Sequence, residues 1–438
     1  MFISDEKYLR IIADDVHLAP TGRRQSLTFK ANLSLGCHGW LRLTPAYSRH
    51  LVEELVAPLG KHDRVLDPFC GTGTTALTCA EHGIRAETVD INPFLVWLAS
   101  AKFTAYSSSQ LDEARAFAPS VRLAGTNGDF WHPPLHDIEK WWQAEDLHAL
   151  SALFNAIKHA RVSESARDLL LSAFCRVAIE TAAVSFGHQS MSFKPRNGEQ
   201  GMVDLHGLAD LKALFTRRFH EILEAAKHPL DGALARAHLG DSRRLHEVLS
   251  GKFTCVITSP PYPNRISYIR ELRPYMYWLG YLSDGRQAGD LDWQAIGGTW
   301  GCATSNLTRW QPDSATTASL SGVSVSASDG SGARGEGSFL GMIAGIAERS
   351  QILSHYVHKY FEDCVWHIRS LARVLAKGAT VHYIVGNSKF YDVMVPTELL
   401  YAGLLRQNGF TDVTVENIRK RNSKKELFEF VVSGKFAG

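Results

Sequence analysis

The sequence predicts an α/β fold: a doubly wound, mostly parallel sheet with an antiparallel hairpin at its C-terminal end and a largely helical insert. Three observations predict it. Arg64-Val65-Leu66 reads as a short strand leading into the glycine turn Asp67-Pro68-Phe69-Cys70-Gly71-Thr72-Gly73-Thr74-Thr75 and then into an apolar, helix-forming stretch. Thr88-Val89-Asp90 closes a second apolar strand about 20 residues further on, completing one βαβ unit. Far downstream, Cys255-Val256-Ile257 reads as a buried strand that must stop at Pro260-Pro261, because proline cannot donate the backbone hydrogen bonds that would extend it.

The first 20 residues carry no usable pattern. Thr44 is then placed to cap a helix that starts at Pro45 and whose apolar face is Leu51, Val52, Leu55 and Val56. The segment from Gly71 to Gly83 is the next helix, with Gly83 as its C-terminal cap, and Ala86 to Ile91 is the second strand. From Ala105 to His228 long helical periodicity takes over, broken by the polar, basic and aromatic stretch Ser185 to Gly201. The chain thus divides into 1–104, a helical insert over 105–235, and 236–438. From Ser314 to Gly337 the composition is Ser, Ala, Gly and Thr, too poor in apolar surface to order itself, and a mobile segment is expected. Val357, Tyr360, Phe361, Cys364, Val365, Ile368, Leu371 and Leu375 mark one side of a long helix stopped by Gly378, before a buried strand at Thr380 to Val385. Val413 to Arg421 and Leu427 to Val432 alternate like two strands joined by Asn422-Ser423-Lys424-Lys425.

Two of these segments carry chemistry. In the stretch Val256 to Tyr262, two prolines stiffen a turn that leaves the Ser259 hydroxyl and the Ser259 and Pro260 carbonyls as acceptors, with the Tyr262 ring as a flat surface. That set suits a planar ring bearing an amino group. In the upstream turn, glycines let the backbone approach a nucleotide-like cofactor, the following helix presents unpaired N–H groups, and Asp90 is placed to hold ribose hydroxyls.

Composition narrows the class. With 45% hydrophobic and 21% charged residues, the 438-residue chain is an ordinary globular protein large enough for two domains. Its net charge of +2 means that a polyanion would have to be met by local basic groups; Arg217-Arg218, Arg243-Arg244 and the run Arg419, Lys420, Arg421, Lys424, Lys425 are candidates, each equally readable as a solvated face. Seven cysteines, an odd number without CxxC spacing, point to reduced thiols rather than disulfides or zinc, and Cys70 reads as a small packing residue. Asp5, Glu6 and Lys7 with no long apolar run after them give no signal peptide or membrane span, so a cytoplasmic protein is expected. Among 19 histidines, His355 and His358 sit three apart on a predicted helix without a further ligand at a recognisable spacing, and no metal is expected.

The DPFCGTGT run and the TSPPY run resemble the cofactor and catalytic motifs of the S-adenosylmethionine-dependent amino methyltransferases, which modify exocyclic amines of DNA bases. Leu43-Thr44-Pro45 and Gly240-Asp241-Ser242 are weaker matches, and the resemblance covers most of the chain except its middle. It implies a Rossmann-like fold, S-adenosylmethionine as cofactor, double-stranded DNA as substrate and a possible cognate restriction endonuclease. The family motif begins with Ser in most cytosine-N4 enzymes and usually with Asp or Asn in adenine-N6 enzymes, so Ser259 favours cytosine N4; adenine N6, an RNA base amine and a silent DNA-binding subunit are the alternatives. No Pro-Cys pair occurs, which sets aside the cytosine-C5 enzymes with their nucleophilic cysteine.

By this resemblance Ser259, Pro260, Pro261 and Tyr262 are catalytic. Asp67, Phe69, Gly71 and Gly73 serve the methionine end of the cofactor, Asp90 its ribose, and Asp241 its adenine amine. Arg265, Tyr268, Arg270 and Arg273, close behind the catalytic turn, are candidates for holding phosphates and stacking bases. About 150 residues separate Asp90 from Asp241, where the resembled enzymes often have far fewer, so the insert is the candidate for target recognition. Within it Ser185 to Gly201 is either a loop that approaches nucleic acid or a plain surface connection.

Overall fold

Leu66, Val89, Val256 and Ile257 are fully buried on strands that helices cover from both sides, which is why these strands read as apolar runs rather than as alternating patterns. The computed structural model describes residues 16–18, 29–43, 47–120, 130–185, 192–193, 208–228, 230–323, 338–421 and 427–438. In chain order the strands are β1 (Val16–Leu18), β2 (Arg64–Asp67), β3 (Arg85–Asp90), the short pair β4 (Val184–Ser185) and β5 (Ser192–Phe193), β6 (Ala235–Leu239), β7 (Phe253–Thr258), β8 (Leu375–Gly386), the short pair β9 (Ser388–Phe390) and β10 (Val393–Val395), β11 (Phe410–Lys420) and β12 (Phe428–Phe436).

The main sheet has the order β1-β11-β12-β8-β7-β2-β3-β6. β12 runs antiparallel to both its neighbours, and the other pairings are parallel. This is the doubly wound sheet with a C-terminal antiparallel hairpin that the sequence predicts. From β2 the chain builds outwards through β3 and β6 on one side, then returns to β7 and β8 on the other. The switch point lies between β2 and β7, where open α/β sheets bind their ligands at the strand ends.

The insert is helical as expected, with helices Ser108–Ser120, Ala144–Lys158, Glu164–Glu180 and Leu208–Ala226. Its apolar core continues into the rest of the molecule. Trp278, from the helix Tyr268–Trp278 that follows the Ser259–Tyr262 turn, sits among Trp142, Phe154 and Phe174 of the insert. Tyr275 of that helix stacks at 4.8 Å on Phe94 from the helix Pro93–Phe103. No helix among the described residues is long and apolar enough to cross a membrane.

Several elements differ from expectation. The first long helix spans Arg49–Val56, after Ser48, because Asn32 Oδ1 accepts the Arg49 N–H at 2.9 Å and does the capping; Thr44 and Pro45 lie outside the described residues. The Gly71–Gly83 segment is helical only over Thr74–Glu81; Gly71 and Gly73, with φ of 51° and 77°, form the turn before it. Gly378 does not stop the long helix, which spans Gln351–Ala372. The Val374 carbonyl already accepts the Phe253 N–H at 2.9 Å, so sheet pairing begins there, and Gly378, with φ of 83°, sits where the β7–β8 register shifts. Ser314–Ser321 is a helix rather than a mobile stretch: Asp313 caps it by accepting from Thr316 N at 2.8 Å, and Thr316 and Leu320 are buried. Residues 324–337, and most of the stretch from Ser185 to Gly201, lie outside the described residues.

Because Trp278 joins the insert to the helix behind the Ser259–Tyr262 turn, Trp278→Ala is expected to destabilise the whole protein by about 3–5 kcal/mol. Urea unfolding followed by far-UV circular dichroism and by fluorescence should show both transitions moving together; movement of one alone would mean that the insert unfolds independently.

Candidate active site

A cavity of about 280 Å³ opens at the carboxyl ends of β2, β3, β6 and β7, at the switch point. The glycine turn forms one wall, through Phe69, Gly71 and Thr72. Asp90 and Asp241 stand at the ends of neighbouring strands, with Ile91, Leu95 and Ile296 as apolar surface between them. Ser259, Pro260, Pro261 and Tyr262 also line the cavity, with Tyr268 and the hairpin residues Arg419, Arg421 and Glu429.

The glycine turn is held by its neighbours. Cys70 N donates to the Val89 carbonyl at 2.8 Å, and Gly71 N donates to Asp90 Oδ2 at 3.0 Å. Asp90 Oδ1 accepts from Asn92 N at 2.9 Å. Burial pushes the Asp90 carboxyl up to about 6 against the pull of these backbone N–H groups. Asn92, which sequence reading missed, caps the helix Pro93–Phe103 and also lines the cavity. Gly73 is tight against this helix: a Cβ there would stand 3.1 Å from Ala99 Cβ and from the Phe103 ring.

Asp67 and Gly73 lie behind the cavity wall rather than in it. Asp67 is 1% exposed, and its Oδ1 accepts from Thr258 Oγ1 at 2.6 Å and from Phe69 N at 3.1 Å. Its Oδ2 is buried without a partner, and burial pushes its carboxyl up to about 7. Asp67 therefore braces the site from beneath. Asp241 does line the cavity, but its carboxylate already holds Arg243, at 3.0 Å to Nε and 2.7 Å to Nη2. Burial alone would raise its pKa; the Arg243 bonds and charge outweigh burial and hold it below the ordinary carboxylate value.

The Ser259–Tyr262 turn is fixed by the helix Gln351–Ala372. Tyr360 donates to the Pro261 carbonyl at 2.7 Å, and Tyr356 Oη accepts from Arg265 N at 3.3 Å. The Tyr262 carbonyl accepts from Asn264 N at 2.8 Å. Tyr262 lies with Arg421 Cζ 5.4 Å from its ring centroid, and burial pushes its hydroxyl well above the ordinary value.

The basic residues behind the turn separate. Arg265 is exposed, with φ of 65°, Tyr268 lines the cavity, and Arg270 is half-buried. Arg273 is packed inwards: its guanidinium lies over Trp141 and Trp300 at 5.0 and 5.3 Å and donates to the Arg270 carbonyl, and burial lowers it to about 10. It is therefore a packing residue in this structure rather than a group presented to phosphate. Elsewhere, Arg218 pairs with Glu180 and Glu221, Arg243 with Asp241 and Asp363, and Arg419 with Glu429; Lys424 and Lys425 lie outside the described residues. His355 meets the Leu307 carbonyl and His358 meets Thr317 Oγ1, and no metal-holding group of His, Cys, Asp and Glu occurs among the described residues.

Sequence reading also missed Tyr47, Gln294 and Ile296 in the cavity wall, and Lys102 beneath it. Lys102 is 1% exposed and forms no ion pair among the described residues; its Nζ donates to the Thr72 carbonyl at 2.9 Å. Burial lowers it from 10.5 to about 8.

The strand order and the position of the cavity define a Rossmann-like α/β protein with its site at the topological switch point. No family model matches the chain. It is 23% identical to the Type II methyltransferase M.BsoBI of Geobacillus stearothermophilus over an alignment of 464 positions that covers 97% of this chain and 88% of that protein. A stretch of 82 residues is 33% identical to the Type II methyltransferase M.AvaI of Nostoc sp., covering 18% of this chain and 17% of that one. Among solved structures, the rRNA methyltransferase aviRa from Streptomyces viridochromogenes aligns at 12% identity and a TM-score of 0.29, over 94% of each chain. The full-length similarity to M.BsoBI supports a methyltransferase.

Lys102 gives a pH prediction. Its folded pKa lies below the unfolded value, so between about 8 and 10.5 the unfolded chain binds more protons and stability rises with pH. Urea unfolding of wild type and Lys102→Met is expected to show wild type gaining about 2–3 kcal/mol relative to the variant between pH of about 7.5 and about 10. An unchanged difference would mean that Lys102 reaches water.

Proposed function

We propose that this protein transfers a methyl group from S-adenosylmethionine to the exocyclic N4 amine of cytosine in double-stranded DNA, as the modification partner of a restriction endonuclease. The observation that carries the reading is the shared cavity: the Ser259-Pro260-Pro261-Tyr262 turn lines the same pocket as the glycine turn and Asp90. The Type II relatives supply the restriction-modification context.

The residues present fit the cofactor. Asp90 and Asp241 offer carboxylate acceptors for ribose hydroxyls and an adenine amine, Ile91, Leu95 and Ile296 offer apolar faces for a flat ring, and Gly71 lets the backbone approach. When bound, the cofactor supplies an electrophilic sulfonium methyl group. The protein's task is then to prepare the amine. An aromatic amine is a poor nucleophile while its lone pair is delocalised into the ring; acceptors that hold its protons favour the pyramidal form. Ser259 Oγ, which also bonds the Tyr262 hydroxyl, and the Pro260 carbonyl are those acceptors; the Pro261 and Tyr262 carbonyls are already taken. Held by two prolines and by Tyr360, they need little reorganisation during reaction, and positioning of the amine by them supplies much of the rest.

A base within a duplex cannot reach this cavity, so the cytosine is flipped out at a cost of a few kcal/mol. Stacking on Tyr262 offsets about 1–3 kcal/mol of that. The helical region over 105–235, with the exposed Arg265, is our candidate for reading the surrounding sequence.

Three outcomes test the reading. In host DNA digested to nucleosides after expression of the protein, mass spectrometry should find N4-methylcytosine; N6-methyladenine would move the reaction to adenine, and neither mark would remove DNA as the substrate. Tyr262→Ala should abolish the mark while cofactor affinity stays within about twofold, because one base-stacking contact is lost and no cofactor contact is. Asp90→Ala should weaken cofactor binding in calorimetry by about tenfold or more, two hydrogen bonds to an ionised acceptor being at stake; unchanged affinity would reject the ribose assignment.

A further inference from the structure

We propose that Arg421 reads the target base, donating from its guanidinium to N3 and O2 of cytosine, and so sets the preference for cytosine over adenine; the inference rests on the reading of the cavity as a base pocket. Arg421 follows β11 and lines the same end of the cavity as Ser259 and Tyr262. Its position is fixed. Nη2 donates to the Asn387 carbonyl at 2.6 Å, and Cζ lies 5.4 Å from the Tyr262 centroid. A Cβ at Gly386 would stand 2.8 Å from both Arg421 Nη1 and Tyr262 Cε2, so the bare backbone at 386 is what lets the two side chains lie together.

Two features separate Arg421 from an ordinary surface cation. Its Nε is buried without a hydrogen-bond partner, an unsatisfied donor of the kind native structures rarely keep without a use. Its neighbour Arg419 is neutralised by Glu429, at 2.5 and 2.7 Å, whereas Arg421 pairs with no carboxylate among the described residues. The guanidinium lies over the Tyr262 ring within cation–π range, Cζ 5.4 Å from the centroid, which holds it beside the ring proposed to stack the base.

The chemistry of the two bases does the rest. Along one edge cytosine presents an amine donor followed by two acceptors, N3 and O2. Adenine presents an amine donor, one acceptor, N1, and then C2–H. With Ser259 taking the amine, a planar pair of N–H donors from Arg421 matches cytosine bidentately. Adenine would leave one of those donors facing a carbon, and a site built to hydrogen-bond one edge rejects an analogue that lacks the matching atom.

The test uses a duplex carrying the site mapped by methylation sequencing of host DNA, and the same duplex with adenine at the target position. Methyl transfer and cofactor affinity are measured for wild type, Arg421→Gln and Arg421→Lys. Wild type should prefer cytosine. Arg421→Gln should lower the cytosine rate at least tenfold while the adenine rate and the cofactor affinity stay within twofold, and Arg421→Lys, charged but without the planar donor pair, should also lose the preference. An equal fall on both duplexes would make Arg421 only a prop for Tyr262, and an unchanged cytosine rate would remove it from the pocket; either overturns the assignment. Wild type that prefers adenine, or methylates neither duplex, overturns the underlying reading, and the assignment with it.

Discussion

Asp67 ends β2 with its carboxylate on Thr258 Oγ1, at the end of β7, and its carbonyl accepting from Thr88 Oγ1 of β3. One buried residue thereby levels the ends of three adjacent strands, the two flanking the switch point among them. The glycine turn and the proline turn then emerge side by side and face a common space. If β7 slipped by one residue against β2, its side chains would exchange faces and Ser259 would leave the cavity. The unpaired Oδ2 and the raised pKa of Asp67 are the cost of placing a carboxylate where it can reach both strands.

Around this brace the site is assembled from groups that are individually costly to bury. Lys102 keeps an ammonium beneath the glycine turn to hold the Thr72 carbonyl, and Arg243 ties Asp241 to Asp363 on the long helix. His367 joins the same layer, meeting the Ser242 carbonyl at 3.1 Å and the Tyr383 hydroxyl at 2.8 Å while its ring lies 4.8 Å from that of Phe69. Burial lowers its pKa to about 4, which leaves it neutral near pH 7. These contacts stiffen the cavity walls, the condition that catalysis by fixed acceptors requires.

The parts of this arrangement governed by local rules were legible in the sequence. Gly71 and Gly73 take left-handed backbone, Pro260-Pro261 end a buried strand, and Asp90 closes the second strand, all as their neighbours dictate. What was not legible depends on distant partners. Nothing near Asn32 shows that it caps the helix at Arg49, and the low complexity of Ser314–Ser321 hides a helix that Asp313 caps and burial of Leu320 anchors. Arg421 was visible only as one member of a basic run. Its place in the cavity depends on β12 lying between β11 and β8, which no local pattern encodes. Arg273, by contrast, read as a candidate for holding phosphate and is packed over Trp141 from the insert and over Trp300.

The account stands on one cavity serving both cofactor and target base, and a structure of the protein with S-adenosylhomocysteine tests that most directly. The predicted result is a ligand with its ribose at Asp90, its adenine near Asp241, and its sulfur facing the Ser259–Tyr262 turn. A ligand bound elsewhere, or one whose sulfur points away from that turn, would contradict it.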